Sequence, residues 1–293
     1  GAPIPGKVGL VSGGGSGHMP TFIGYIGRAL LDAVAVGEVF SSPSARQFYD
    51  AIKAVDSGEG VLCIYGNYSG DIMNVEMAME MTEDEGIRVE QVIVNDDVGS
   101  GPREKMANRR GVAGQVIVWK VAGAKAEEGA SLEEVKKVAE RANFNSRTMG
   151  VALSPCTVPT QGEPTFTLGE DEMEVGVGEH GEPGLKRMRL KSADETTEIL
   201  MDEILPDLPF KSGDEVSVLV NGFGATPLLE LYIVYRKVAQ ILKQKNIKIY
   251  KSYVGEYVTS LEMGGYSVTL TKLDEELKRL LDVPAEGTIF KQI

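Results

Sequence analysis

Three times in its first half the chain passes from a short apolar run, through a loop, into helical spacing. Residues 8–11 lead into the run Ser12-Gly13-Gly14-Gly15-Ser16-Gly17-His18, and the stretch from about 20 to 31 predicts a helix. Residues 61–65 lead into a loop at 66–70 and a helix over about 71–85. Residues 89–94 lead into Asn95-Asp96-Asp97 and a helical segment across 111–129, with Val112, Val116, Trp119 and Ala122 at helical spacing. Ser131 opens a further helix, with Glu134 three residues on in capping-box position. Strand–loop–helix units in series favour parallel strands with helices on the faces of the sheet. Ligands of such sheets bind at the carboxyl ends of the strands, where these loops fall.

A second region starts near 149–153. Residues 160–190 are rich in Gly, Glu, Pro and Thr, and apolar runs at 216–220, 247–253 and 266–270 read as strands. A helix follows Asn221-Gly222-Phe223-Gly224-Ala225-Thr226-Pro227 and runs to about 245, and another spans 274–281. The expected fold is therefore two α/β domains, 1–150 and 151–293, each a largely parallel or mixed sheet flanked by helices.

The chain holds two histidines, and each lies among glycines. His18 closes the first glycine run, and His180 sits in Gly176-Val177-Gly178-Glu179-His180-Gly181-Glu182-Pro183-Gly184. Bare backbone lets a small ligand approach closely, and imidazole suits proton transfer or nucleophilic attack near neutral pH. Together they point to one small-molecule site. Asp71 would open a helix, where a cap is its ordinary role; at the same sheet edge as His18 it could share general-base work. Asn95-Asp96-Asp97 reads as a solvated turn or cap rather than a metal site.

Other functions are disfavoured. A net charge of −13 argues against a basic nucleic-acid face. No Cys-x-x-Cys or His-x-x-x-His spacing suggests zinc. Cys63 and Cys156 lie in apolar runs and read as buried free thiols of a reducing compartment. No run of about 18 apolar residues suggests a membrane span. The glycine run lacks the third glycine of a dinucleotide fingerprint, since His18 stands there. Gly1 with Gly6-Lys7 resembles a phosphate loop only superficially: Val8 replaces the required Ser or Thr, and a strand follows instead of a helix. The abrupt opening on a core strand suggests a longer natural N-terminus.

Taken together, Ser12–His18, Gly24-Tyr25-Ile26-Gly27, Gly37-Glu38-Val39-Phe40-Ser41-Ser42-Pro43, Asn67-Tyr68-Ser69-Gly70-Asp71, Arg109-Arg110-Gly111-Val112-Ala113, Cys156-Thr157-Val158-Pro159, the His180 loop and Gly224-Ala225-Thr226-Pro227 carry a resemblance over the whole chain. The chain resembles the dihydroxyacetone-binding subunit of the bacterial phosphotransferase-dependent dihydroxyacetone kinases. The resemblance implies that His180 attacks the ketone carbon of dihydroxyacetone, or of a related small ketose, and forms a hemiaminal. It implies that Asp71 takes the proton of the terminal hydroxyl with His18 assisting. Gly14, Gly15, Ser42, Gly66 and Asn67 would line the substrate, the Gly15 amide and Ser42 orienting its oxygens. The chain itself would bind no cofactor; ADP or ATP with magnesium would sit on a separate nucleotide-binding subunit. A cytoplasmic homodimer, with no metal, nucleic acid or membrane bound directly, is implied.

Two residues depart from the kinase pattern of that family: Gly66 stands where it carries lysine, and Met19 where it commonly carries glutamate. Losing positive charge near a transferring phosphoryl weakens catalysis without touching ligand capture. The alternative is therefore a catalytically silent paralogue that binds dihydroxyacetone through the same histidine and co-activates a transcription regulator.

Overall fold

The computed structural model describes residues 2–293. The chain divides into two compact units, and the division is discontinuous rather than a single cut near residue 150. The first unit comprises the residues up to Val94, Gln115–Phe144 and Glu275–Ile293; the second comprises Asn95–Gly114 and Asn145–Asp274. Long-range pairing, which local pattern does not reveal, makes the difference. Asp96 accepts hydrogen bonds from the amides of Val112 and Gly114 and from the Thr148 hydroxyl, holding residues 95–114 in the second unit. At the other end Ala285–Gly287 returns to pair with Gly27–Arg28 in the first.

The first unit carries a four-stranded parallel sheet, in the order Ala33–Val39, Gly9–Ser16, Val61–Gly66, Val89–Val94. Val61–Gly66 is buried at every position, as a central parallel strand covered on both faces must be. Ala45–Val55 and Ser69–Glu83 pack in a core with Val11, Phe48, Ile52, Val61 and Val75. The helix Gln115–Glu127 is buried on nearly all sides; its Trp119 ring nitrogen donates to the Ile64 carbonyl (3.1 Å). Ser131 and Glu134 form the expected capping interactions ahead of Leu132–Phe144.

The helix expected over residues 20–31 is absent. In its place stand the 3₁₀ turn Ile23–Tyr25 and the short strand Gly27–Arg28. Arg28 and Gly27 need extended backbone because they pair with Glu286 and Gly287, more than 250 positions away in the chain.

The second unit carries a six-stranded mixed sheet in the order Lys248–Gly255, Glu215–Gly222, Gly264–Lys272, Ser146–Ser154, Glu172–Val175, Lys186–Arg189. Its first pair is parallel and the others are antiparallel. Ala193–Asp207 and Leu228–Gln244 contribute Leu200, Ile204, Leu231, Val234 and Val238 to the core that covers it. The fold class is therefore the expected one, two α/β bodies with one parallel and one mixed sheet.

At the end of Ala193–Asp207 the Asp207 carboxylate receives both terminal nitrogens of Arg109 (2.8 and 2.7 Å) and the Nε of Arg147. Both arginines are about 1% exposed. Removing the anion would strand two buried cations, and breaking a buried pair costs about 3–5 kcal/mol. Asp207→Ala is expected to lower the unfolding free energy of the second unit by that amount, read as a lower urea midpoint for its transition. A shift below about 1 kcal/mol, the worth of an exposed pair, would show that the triad adds no stability.

Candidate functional site

In the first unit the carboxyl ends of neighbouring strands bring most of the expected site residues together. Gly15 lies at the end of its strand, where an added Cβ would sit 2.6 Å from the Ser41 nitrogen and 2.9 Å from Phe40. Only a bare backbone allows the 40–42 loop to come this close. His18 is buried and stacks on Phe40, with ring centroids 4.8 Å apart. Gly14 lies under the Phe22 ring.

Ser42 donates to the Pro43 carbonyl and accepts from the Asn74 side-chain amide, 3.2 Å in each case. It also abuts Gly70, where an added Cβ would lie 3.1 Å from the Ser42 Cβ. Asp71 follows in the first turn of Ser69–Glu83, 7% exposed. Gly66 ends its strand in register with Val94, and the Asn67 amide donates to the Val94 carbonyl (3.0 Å). His18, Ser42 and Asp71 are thus linked through Phe40 and Gly70 along one sheet edge.

His180 belongs to the second unit, in the loop between Glu172–Val175 and Lys186–Arg189. Its ring Nδ1 lies 2.8 Å from Glu182 Oε1, and its amide donates to Glu182 Oε2 (2.9 Å). Its side chain remains 23% exposed. Burial would raise the Glu182 carboxyl, but the His180 ring and amide, with Arg110, outweigh it and hold Glu182 down at about 2. A carboxylate on Nδ1 orients the ring and favours the tautomer with its proton on that nitrogen. That is the tautomer a nucleophilic imidazole needs.

The loop is anchored by residues that pattern reading left without a role. Arg110 donates from Nε to Asp97 Oδ2 (2.8 Å) and from Nη2 to the Gly176 carbonyl (2.9 Å), and its Nη1 lies 3.9 Å from Glu182. Asp96 and Asp97, expected in a solvated turn or cap, are buried at 0 and 1% exposure. Asp97 does cap: it receives the Gly99 amide at the start of the 3₁₀ turn Val98–Ser100. The signal for Glu182 lay in its spacing, two residues beyond His180 with only glycine between.

Lys7 is committed to Asp32, its Nζ 2.6 Å from the carboxylate. Among the described residues, no cluster of three or more His, Cys, Asp or Glu side chains is placed to hold a metal ion. Both cysteines are buried and unpaired with each other. No helix is long and apolar enough to cross a membrane.

Residues 2–289 match the model of the Dak1 domain. The chain belongs to the Dak1 family. It is 49% identical over 285 residues to "PTS-dependent dihydroxyacetone kinase 2, dihydroxyacetone-binding subunit DhaK" of Listeria innocua, covering 97% of this chain and 86% of that one. Among solved structures it is similar to "Dihydroxyacetone kinase operon co-activator Dha-DhaQ", with TM-score 0.91, 33% identity, and coverage of 96% of this chain and 87% of the other. It is also similar to the dihydroxyacetone kinase from C. freundii in complex with AMP-PNP and Mg2+, with TM-score 0.90, 33% identity, and coverage of 98% and 52%.

The Glu182 contact has a definite pH signature. Because its folded value lies below the usual 4.5, its stabilisation is fully present above that range and is lost as pH falls toward about 2. The stability gap between the native chain and Glu182→Gln, measured by urea unfolding, is expected to be widest near neutrality. It should narrow steadily between pH 4.5 and the acid limit of the measurement. A gap independent of pH would mean that the carboxylate is not what holds the loop.

Proposed function

We propose that this Dak1 chain is the dihydroxyacetone-binding subunit of a phosphotransferase-dependent dihydroxyacetone kinase, holding its ketose covalently on His180. The observation that carries the reading is the Glu182 carboxylate 2.8 Å from His180 Nδ1, which leaves Nε2 as the nucleophile. The Nε2 lone pair attacks the ketone carbon. The carbonyl electron pair moves to oxygen, which takes a proton from a water molecule, and the Nδ1 proton, relayed through Glu182, returns to the hydroxide so formed, so that the hemiaminal is neutral and Glu182 is again a carboxylate. A polyol such as glycerol has no electrophilic carbon and is refused by chemistry rather than by shape, which discriminates poorly among molecules this small.

Transfer falls to the first unit's residues. Asp71 accepts the proton of the terminal hydroxyl, with His18 hydrogen-bonded to that oxygen, and Ser42 and the Gly15 amide orient the ligand. ADP or ATP with magnesium would sit on a separate nucleotide-bearing subunit, which presents the γ-phosphoryl group to the hydroxyl when the nucleotide is charged as ATP and is left with ADP after transfer. The working assembly is a cytoplasmic homodimer with that partner.

A second reading is favoured by the likeness to the co-activator at TM-score 0.91, together with Gly66 and Met19. In that reading the same capture reports dihydroxyacetone to a transcription regulator without transfer.

His180→Ala is expected to abolish the ligand adduct, seen as the loss of the added mass in native mass spectrometry. Asp71→Ala should keep the adduct and lose triose phosphate formation when mixed with the nucleotide-bearing subunit. An Asp71→Ala protein that still turns over would remove Asp71 from the base role. Native chain that forms the adduct yet never turns over with any such subunit would establish the sensor.

A further inference from the structure

Glu179 immediately precedes His180 and plays no part in the capture step. Its residue is only 6% exposed, and no described residue forms a hydrogen bond with its Oε1. It borders a cavity of about 10 Å³ inside the second unit, lined also by Asp97, Thr148, Asn221 and Ser267. Those neighbours are already engaged. Asp97 receives Gly99 and Arg110, and Thr148 bonds Asp96 and Thr269. Asn221 donates to the Val258 carbonyl and to Ser267, and accepts from the Tyr257 and Val258 amides.

The charged and titratable groups facing Glu179 are Asp96 and Asp97 from the segment after the first sheet's last strand, Arg110 from the arginine loop, and Glu182 and His180 from its own loop. Glu182 is held ionised, and burial pushes up Asp96 and Asp97, the latter to about 7, so the one guanidinium is already shared and a charge on Glu179 would have no counter-ion of its own. An ionised carboxyl buried without a donor is the costliest polar arrangement a protein can hold. Burial first, then Asp96, Glu182 and Asp97, push the Glu179 carboxyl well above the usual range, with Arg110 opposing them.

We propose that Glu179 is a positioning residue for His180: a buried acid whose proton keeps the loop in its capturing form, and whose loss releases the loop and ends ketose binding. The proposal rests on the capture reading for its consequence, though not for its geometry. With its proton on, the carboxyl is neutral and fits the cavity. When the proton leaves, the carboxylate must reach water, and the backbone that joins it directly to His180 moves with it. The Nδ1 contact to Glu182 is then lost. The sign follows from the raised value: the folded loop is favoured at lower pH, and that advantage disappears as pH rises through the titration of Glu179.

The test is a pH titration of the full chain by NMR, following the imidazole ring signals. The chain has only two histidines, and His180→Asn identifies which signals belong to position 180. Dihydroxyacetone adduct is measured by native mass spectrometry on samples taken across the same pH series. In the native chain the His180 ring signals are expected to show an alkaline displacement, with adduct lost over the same interval. Glu179→Gln, which mimics the protonated acid, should lack that displacement and retain adduct to higher pH. Glu179→Leu, also neutral, should do the same and serves if the glutamine variant fails to fold.

Identical titrations of the native and neutral variants would overturn the proposal, since a merely structural Glu179 would not move the profile. An alkaline displacement removed by Glu179→Gln, with no adduct in either protein, would uphold the positioning role and overturn ketose capture instead.

Discussion

Where Gly178 would carry a Cβ, the structure places the Glu182 carboxylate at 2.2 Å and an Arg110 nitrogen at 2.5 Å. Any side chain at 178 would therefore expel the groups that orient His180. The loop is wrapped around a charge: Glu182 turns back to accept the His180 amide and ring nitrogen, and its own carbonyl accepts the Gly178 amide. A loop this rich in glycine pays a large conformational entropy on ordering. Charge-assisted hydrogen bonds, about twice as strong as neutral ones, are the natural means of offsetting it. Arg110 extends the same logic backwards, since it ties Gly176 and Asp97 into a single frame.

The same principle explains how residues 95–114 are bound to the second unit. Asp96 is wholly buried and satisfied by two amides and a hydroxyl, and Arg109 is wholly buried and satisfied by Asp207. Polar anchors of this kind need every partner in place. They fix the chain path more sharply than apolar contacts, which tolerate sliding.

Sequence pattern and structure agree where the information is local. A run of apolar residues at 61–65 is a buried strand because both faces are covered, and Ser131 with Glu134 caps a helix because capping spans one turn. Pattern fails where partners are distant. Residues 20–31 look helical until Gly27 and Arg28 find Glu286 and Gly287. Ala45–Val55 carries its own capping box at Ser44 and Gln47, a signal contained within one turn. At the site, histidines among glycines were conspicuous because both residue types are informative in small numbers. The carboxylate that gives His180 its tautomer was not, since Glu182 is one acid among 43 acidic residues. Only coordinates reveal that it folds back.

Capture and transfer place different demands on a sequence, and this chain meets them unequally. The proposed capture needs one nucleophile in one tautomer, and His180 with Glu182 would supply it from the second unit. Transfer needs a base and a way to stabilise charge on a moving phosphoryl group. In the proposed reading Asp71 and His18 would serve the first task, at a sheet edge with Ser42 beside them. For the second, Gly66 is a buried strand end with no side chain to reach outward, and Met19 is exposed and uncharged. In the proposed reading the two demands fall on different residues: His180 and Glu182 for capture, positions 19 and 66 for charge at the phosphoryl group. Kinase and sensor are thus neighbouring outcomes on one scaffold. In the proposed reading, what would divide them is whether a partner subunit brings enough positive charge of its own to replace what position 66 does not provide.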